Sequence, residues 1–591
     1  MEEKNESAVL DYLEQFSGVF NSMVQEVLSR KLAGQPSDVG AMFDPKKLTD
    51  LLSSGVQVDT AKLVSEQMAF MEKQVALWQN ATKAMLGQKV EPVVAEQRGD
   101  GRFRDADWSD NPVYSYLKQA YLLNSQMLQS MVNALEFNDP KAAEQVKFYT
   151  RQYISSVSPT NYVLTNPEVC REILDTKGQN LVKGVENFMR DLEQSPAEAF
   201  KITQTDADAF EVGENLATSA GKVVYQNELM QLIHYAPTTP EVYARPILLT
   251  PPYINKFYIL DLDEKKSLVR WLTSKGYSVF MISWVNPDSD LAHKDFGDYM
   301  KEGPIAALDV VQAITGADKV NMLGFCVGGT TLAAVAAYLR AKGDERINSL
   351  TFLTTLLDFS EPGEVGHYLT DTMLPMVENN AESKGIMDGR ILGLGFSMLR
   401  ENSLFWSYFI NNYLKGKDPA AFDILYWNSD ATNLPAACFK QYLDFSYVNN
   451  NLREPGTVVI DDVPIDLGKI DMPVYFLSTM ADHIVLWQGS YKGALLTSGP
   501  TRFVLAGSGH LAGVINPEEG GKYPHWINEE LPETAEAWFE GAKQHEGSWW
   551  PDWNQWLAPM SGDRVKAQMP GIHKAFPPLE NAPGSYVKKR L

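Results

Sequence analysis

The sequence has 591 residues, 44% of them hydrophobic and 21% charged, with a formal net charge of −23. That length excludes a single compact core and predicts several domains, and that charge disfavours non-specific binding to nucleic-acid phosphates. Three cysteines, Cys170, Cys326 and Cys438, are too few and odd in number for a disulfide framework, and they point to a reducing, cytoplasmic setting.

The first ten residues, MEEKNESAVL, lack a basic stretch followed by an apolar one, so no secretory leader is expected. No apolar run reaches the roughly 18 residues that span a bilayer. No Cys/His spacing matches a zinc site, so no metal is expected either. Two amphipathic helices are predicted early. Residues 9–28 set Leu10, Leu13, Phe16, Val19, Phe20 and Met23 near one face, and residues 63–86 repeat the pattern with Met and aromatic residues. Such a stripe is either core or a surface for a partner or a hydrophobic body. Residues 98–112 read as a linker, and 113–195 as helices broken at Asp139-Pro140, Ser158-Pro159 and Asn166-Pro167. Residues 1–195 are thus expected to form a helical N-terminal domain.

From about residue 220, short β-rich runs alternate with helical ones, the pattern of an α/β domain with a mainly parallel sheet. Strands are predicted over 244–250, 277–284, 319–325 and 348–359, with helices over 267–276, 305–316 and 328–343 between them. Residues 360–465 are irregular and aromatic-rich and read as a cap inserted over a site. The strand pattern resumes at 472–479 and 501–507. The catalytic domain is expected to span 196–591, cap included.

GFCVGG (324–329) falls between a predicted strand and a predicted helix. Its Gly-x-Cys-x-Gly core suits a nucleophile elbow, where strained backbone angles expose the nucleophile and Cβ atoms two residues to either side would collide. The helix N-terminus directs free N–H groups and a positive dipole end at the sulfur, which favours thiolate. A thiol nucleophile needs a base, and the base needs an orienting group. In the chain order nucleophile, acid, histidine, Asp482 follows the strand MPVYFLST and His510 follows TRFVLAG, both at strand C-termini, where open α/β sheets place their sites. An oxyanion hole would take one N–H from Val327 and a second from the loop after 244–250. Pro251 and Pro252 cannot donate there, which leaves Ile254 or a neighbour.

Together these residues resemble a polyhydroxyalkanoate synthase. The likeness rests on GFCVGG, PPYINKFYILD (251–261), FMISWVNPD (280–288), LTTLLDFSEPGE (353–364), YWNSDATNLP (426–435), ADHIVLWQG (481–489), SGHLAG (508–513) and GSWWPDW (547–553), and it covers roughly 95–591. Leu486 stands where many relatives have proline. The resemblance implies an α/β-hydrolase-fold catalytic domain with a cap, plus a helical N-terminal domain. It implies polymerisation of (R)-3-hydroxyacyl-CoA with release of coenzyme A, a leaving group of the substrate, with no cofactor. It assigns the catalytic roles to Cys326, Asp482 and His510, and implies a homodimer associated with polyester storage granules. Arg400 resembles a position on the coenzyme A path, and Trp427 and His483 are further substrate-path candidates. Aromatic residues over 405–427 would wall a dry site, or serve as ordinary core. A cysteine-dependent thioesterase on the same fold, or an inactive granule scaffold, would share these features.

Overall fold

The computed structural model describes residues 57–591 apart from Arg98, 197–198 and 370–372; the helix predicted over 9–28 lies outside the described residues. The chain divides into two compact units, Met1–Asp206 with Ser397–Ala420, and Ala207–Phe396 with Ala421–Leu591. The sequence places the boundary at 195 and keeps 397–420 in the cap, whereas the structure assigns that segment to the first unit.

The described part of the first unit is helical: α1 (Thr60–Met85), α2 (Pro112–Asn133), α3 (Pro140–Ser156), α4 (Pro167–Thr176) and α5 (Gln179–Gln194). Helices α2, α3 and α4 each open with proline behind an Asn or Asp cap, a pairing that costs no helix hydrogen bond. Leu77 of α1 is buried with Trp108, Tyr121 and Leu122. The opposite face carries Val64, Met68, Met71, Val75, Trp78 and Met85, each more than half exposed, at alternating spacings of four and three residues along most of its length. Residues 409–414 pack on α4 and α5: Leu414 joins Val169, Ile173 and Leu181, and Tyr413 donates to the buried Asp191. The aromatic residues Phe409 and Tyr413 are therefore core of the first unit.

The second unit is built on an 11-stranded sheet. Its strands are β1 (Gly221–Gln226), β2 (Met230–Tyr235), β3 (Ile247–Thr250), β4 (Val279–Trp284), β5 (Val320–Phe325), β6 (Ile347–Leu353), β7 (Val474–Thr479), β8 (Thr501–Ala506), β9 (His525–Ile527), β10 (Lys543–His545) and β11 (Glu580–Asn581). They lie in the order β10-β9-β8-β7-β6-β5-β3-β4-β2-β1-β11. The run β8-β7-β6-β5-β3-β4 is parallel, and the flanking strands are antiparallel. Successive residues feed opposite faces: Leu248 and Met322 enter one apolar cluster, Leu249 and Leu323 the other. Both faces are covered, so β5 is buried at every position rather than alternating.

Helix α6 (Leu268–Ser274) joins β3 to β4, α7 (Ala306–Thr315) precedes β5, and α8 (Val327–Ala341) follows it. Every residue of α8 from Val327 to Leu339 is buried, which explains its near-continuous Ala/Val/Leu composition. Chain order reverses between β3 and β5, and that switch point opens a crevice at the strand C-termini. The predicted strand 348–359 ends earlier, at Leu353. Thr354 takes φ +40° and the chain leaves the sheet, bringing Thr355 against Gly329. Among the described residues no helix is long and apolar enough to cross a membrane.

Gly328 sits where a Cβ would lie 2.4 Å from Thr250 O and 2.6 Å from Pro251 O, both backbone atoms. Gly328→Ala is expected to lower stability by about 1–3 kcal/mol, read as a lower urea midpoint at constant m-value.

Candidate active site

Cys326 sits between β5 and α8 with φ 54° and ψ −125°, a backbone conformation that L-residues rarely adopt. The strain is held in place by its surroundings. Cys326 N–H donates to Leu353 O at 2.9 Å, and Cys326 O accepts from Gly329 N at 2.8 Å and Thr330 N at 3.2 Å. A Cβ on Gly324 would fall 2.5 Å from Gly329 Cα, so the glycine two residues before the cysteine is required by close approach. Val327 is the first residue of α8, where a backbone N–H has no partner within the helix.

Asp482 and His510 come together from the loops after β7 and β8. His510 Nδ1 lies 2.7 Å from Asp482 Oδ2, and both side chains are almost fully buried. Asp482 is fixed in turn: Oδ1 accepts from Ile484 N and Val485 N, each at 2.9 Å, and Oδ2 accepts from Thr479 Oγ1 at 3.2 Å. The His510 ring stacks on Phe325, the residue before the nucleophile, at 5.5 Å between centroids. Cys326 stands close enough to the same ring to favour its protonated form. Burial alone would strip the imidazole of its proton, but the Asp482 carboxylate and Cys326 outweigh it and push His510 up to about 10.

The remaining sequence candidates fall in different places. Ile254 lies in the loop after β3, where its carbonyl accepts from Thr432 N at 2.9 Å. Trp427 is core, 4% exposed, with Nε1 donating to Lys256 O at 2.6 Å. His483 is half-buried beside Asp482. Arg400 is exposed and belongs to the first unit. One neighbour escaped the sequence reading. Tyr447 stands near enough that, after burial, the charges of Cys326 and Asp482 help to hold its hydroxyl protonated well above the usual range. It lies in a segment without clear periodicity, so no pattern marks it. The other two cysteines are differently placed: the buried Cys438 thiol is pushed up by desolvation, and Cys170 Sγ is 3.3 Å from Val163 O.

A parallel sheet with a switch point and a strained cysteine at the strand-to-helix turn defines the α/β-hydrolase fold, and residues 259–517 match the alpha/beta hydrolase fold family. Residues 99–272 match the N-terminal region of poly-beta-hydroxybutyrate polymerase (PhaC). Among curated proteins, the chain is 43% identical to the poly(3-hydroxyalkanoate) polymerase of Methylorubrum extorquens over 90% of this chain and 88% of that one. It is 41% identical to the poly(3-hydroxyalkanoate) polymerase subunit PhaC of Cupriavidus necator over 91% and 90%, and 40% identical to that of Rhizobium meliloti over 95% and 92%. The chain belongs to the poly(3-hydroxyalkanoate) polymerase family.

The folded value of His510 lies above its ordinary 6.5, so its protonated form stabilises the fold fully below that pH, and the contribution is lost as pH rises through about 10. Asp482→Asn is therefore expected to lower the melting temperature most below pH 6.5, with the gap from wild type narrowing toward pH 10.

Proposed function

We propose that this chain polymerises (R)-3-hydroxyacyl units, taken from coenzyme A thioesters, into polyester through an acyl thioester on Cys326. The observation that carries the reading is the strained Cys326 within reach of an imidazole that Asp482 fixes at 2.7 Å.

The proton held on His510 sets the sequence of steps. Cys326 attacks as thiolate, with imidazolium beside it, and the thioester carbonyl oxygen becomes an oxyanion that Val327 N–H and the Ile254 loop receive. The intermediate collapses, the C–S bond to coenzyme A breaks, and the departing thiolate takes the His510 proton. The imidazole is now neutral. It accepts the proton of the 3-hydroxyl of a second unit as that oxygen attacks the acyl-cysteine. Collapse of the second intermediate forms the ester, releases the Cys326 thiolate and restores the starting pair. The cycle balances without a cofactor, coenzyme A being only the leaving group.

Sulfur suits this sequence because acyl transfer between two thioesters loses little free energy. The acyl-enzyme stays activated toward an alcohol, whereas a serine ester would match the product in stability. Water is the competing nucleophile, so the site must favour a positioned hydroxyl over solvent. Asp482, with both oxygens already engaged, orients His510 rather than the hydroxyl.

The same reading takes the chain to polyester granules in the cytoplasm. The exposed apolar stripe of α1 fits the surface of its own hydrophobic product, and resemblance alone supports a homodimer.

Cys326→Ala is expected to abolish coenzyme A release and Cys326→Ser to impair it severely. With 3-hydroxybutyryl-CoA the wild type should yield high-mass polyester, and mass spectrometry after a chain-terminating analogue should find the acyl group on the Cys326 peptide. Free hydroxy acid equal to the coenzyme A released would instead identify a hydrolase, and full turnover by Cys326→Ala a different nucleophile. Replacing both Met71 and Trp78 by Glu should leave the fold intact and shift the enzyme from the granule to the soluble fraction. An unchanged distribution would exclude α1 as the anchoring face.

A further inference from the structure

The loop leaving β3 begins with Pro251 and Pro252, which carry no N–H, and reaches regular structure only at Phe257–Leu260. An oxyanion donor is effective only when fixed before the charge develops, so a loop of this kind has to be held from outside. On one side, Thr432 N donates to Ile254 O at 2.9 Å, Asn255 bridges Ala431, and Trp427 Nε1 donates to Lys256 O.

The other side is held by the last stretch of sequence. Lys256 is 5% exposed, and its ammonium has three donors. Two of them donate to Val587 O at 2.7 Å and Lys589 O at 2.8 Å, and the ammonium pairs with the Asp430 carboxylate, 2.9 Å from Oδ1. Asp430 is itself buried. Its Oδ2 accepts from Tyr258 OH at 2.9 Å, and Arg590 Nε lies 3.5 Å from Oδ1 while its guanidinium covers the Tyr426 ring. Asn286 Nδ2 donates to the same Lys589 O at 3.2 Å, and Asn286 Oδ1 accepts from Asn433 N at 3.0 Å. Apolar residues of similar volume often stabilise a core as well as a buried ion pair does. Stability alone therefore gives no reason for an ammonium here. Two directed hydrogen bonds and a buried ion pair from one nitrogen fix the loop in a single geometry, which an apolar side chain would not.

We propose that Lys256 and the segment 587–590 form a clamp that positions the Ile254 backbone as an oxyanion donor during acylation of Cys326, an inference that rests on the covalent reading above. Lys256 is a positioning residue: its ammonium bonds carbonyls and a carboxylate, and its backbone follows Ile254 by two residues.

Two reactions at the same sulfur separate positioning from general structure. Acylation by a non-polymerisable 3-hydroxyacyl-CoA analogue passes through an oxyanion, whereas alkylation by iodoacetamide is a direct displacement that makes none. The variants are Lys256→Met and a chain ending at Lys588, which keeps the Val587 carbonyl, removes that of Lys589 and serves as the milder change should the first not fold. In each, the acylation rate is expected to fall about tenfold or more while alkylation stays within about twofold of wild type. An unchanged acylation rate, or acylation and alkylation falling together, would overturn the clamp. A wild-type chain that is alkylated but never acylated would remove the covalent reading itself.

Discussion

Around Cys326 three glycines meet their neighbours at distances that leave no room for a Cβ. Gly324 lies under Gly329, Gly328 lies against the carbonyls of Thr250 and Pro251, and Gly329 faces Thr355. These contacts draw the β3 loop, the β5–α8 turn and the exit of β6 to one point. Cys326 is therefore held at a strained φ that its neighbours over-determine.

Asp482 and His510 are placed by a different means: they come from loops that share no glycine packing with the elbow. They are aligned by hydrogen bonds, with Ile484 N–H, Val485 N–H and the Thr479 hydroxyl fixing the carboxylate and the carboxylate fixing the ring. Phe325 links the two halves of the site by carrying His510 on its face. Ala436–Leu443 and its neighbours bury Cys438, Phe439 and Tyr442 in the same core cluster as Val327.

The sequence makes the central part of this plain. Parallel strands buried on both faces read as continuous apolar runs, and GFCVGG marks the turn where the chain reverses; β3 to β8 and α6 to α8 follow that reading closely. Chain order and strand ends suffice to pair Asp482 with His510. The sheet edges are less visible. Strand β2 buries Gln231 and His234 among its apolar residues, and β10 is exposed throughout, so neither carries a period of two. The 348–359 run stays apolar after the strand has ended because Thr354–Phe359 is buried as irregular chain. Periodicity also says which face of a helix is apolar but not what covers it. That is why Phe409 and Tyr413, read as cap, prove to be core beside α4 and α5, and why Tyr447 gave no signal at all.

The composition of the first unit bears on how the chain is made. Its N-terminal stretch ends at Asp206, yet Asn180 and Asn187 direct their amides to the carbonyls of Leu414 and Asn412, and Asp191 waits for the hydroxyl of Tyr413. Emerging from the ribosome, the two amides lack these acceptors until more than two hundred further residues have been synthesised, whereas Asp191 already accepts from Thr203. Birth order and folding order thus differ in this protein. These helices are finished only after β3 to β6 have been laid down, and a fragment cut at residue 206 would leave the amides of Asn180 and Asn187 without these acceptors.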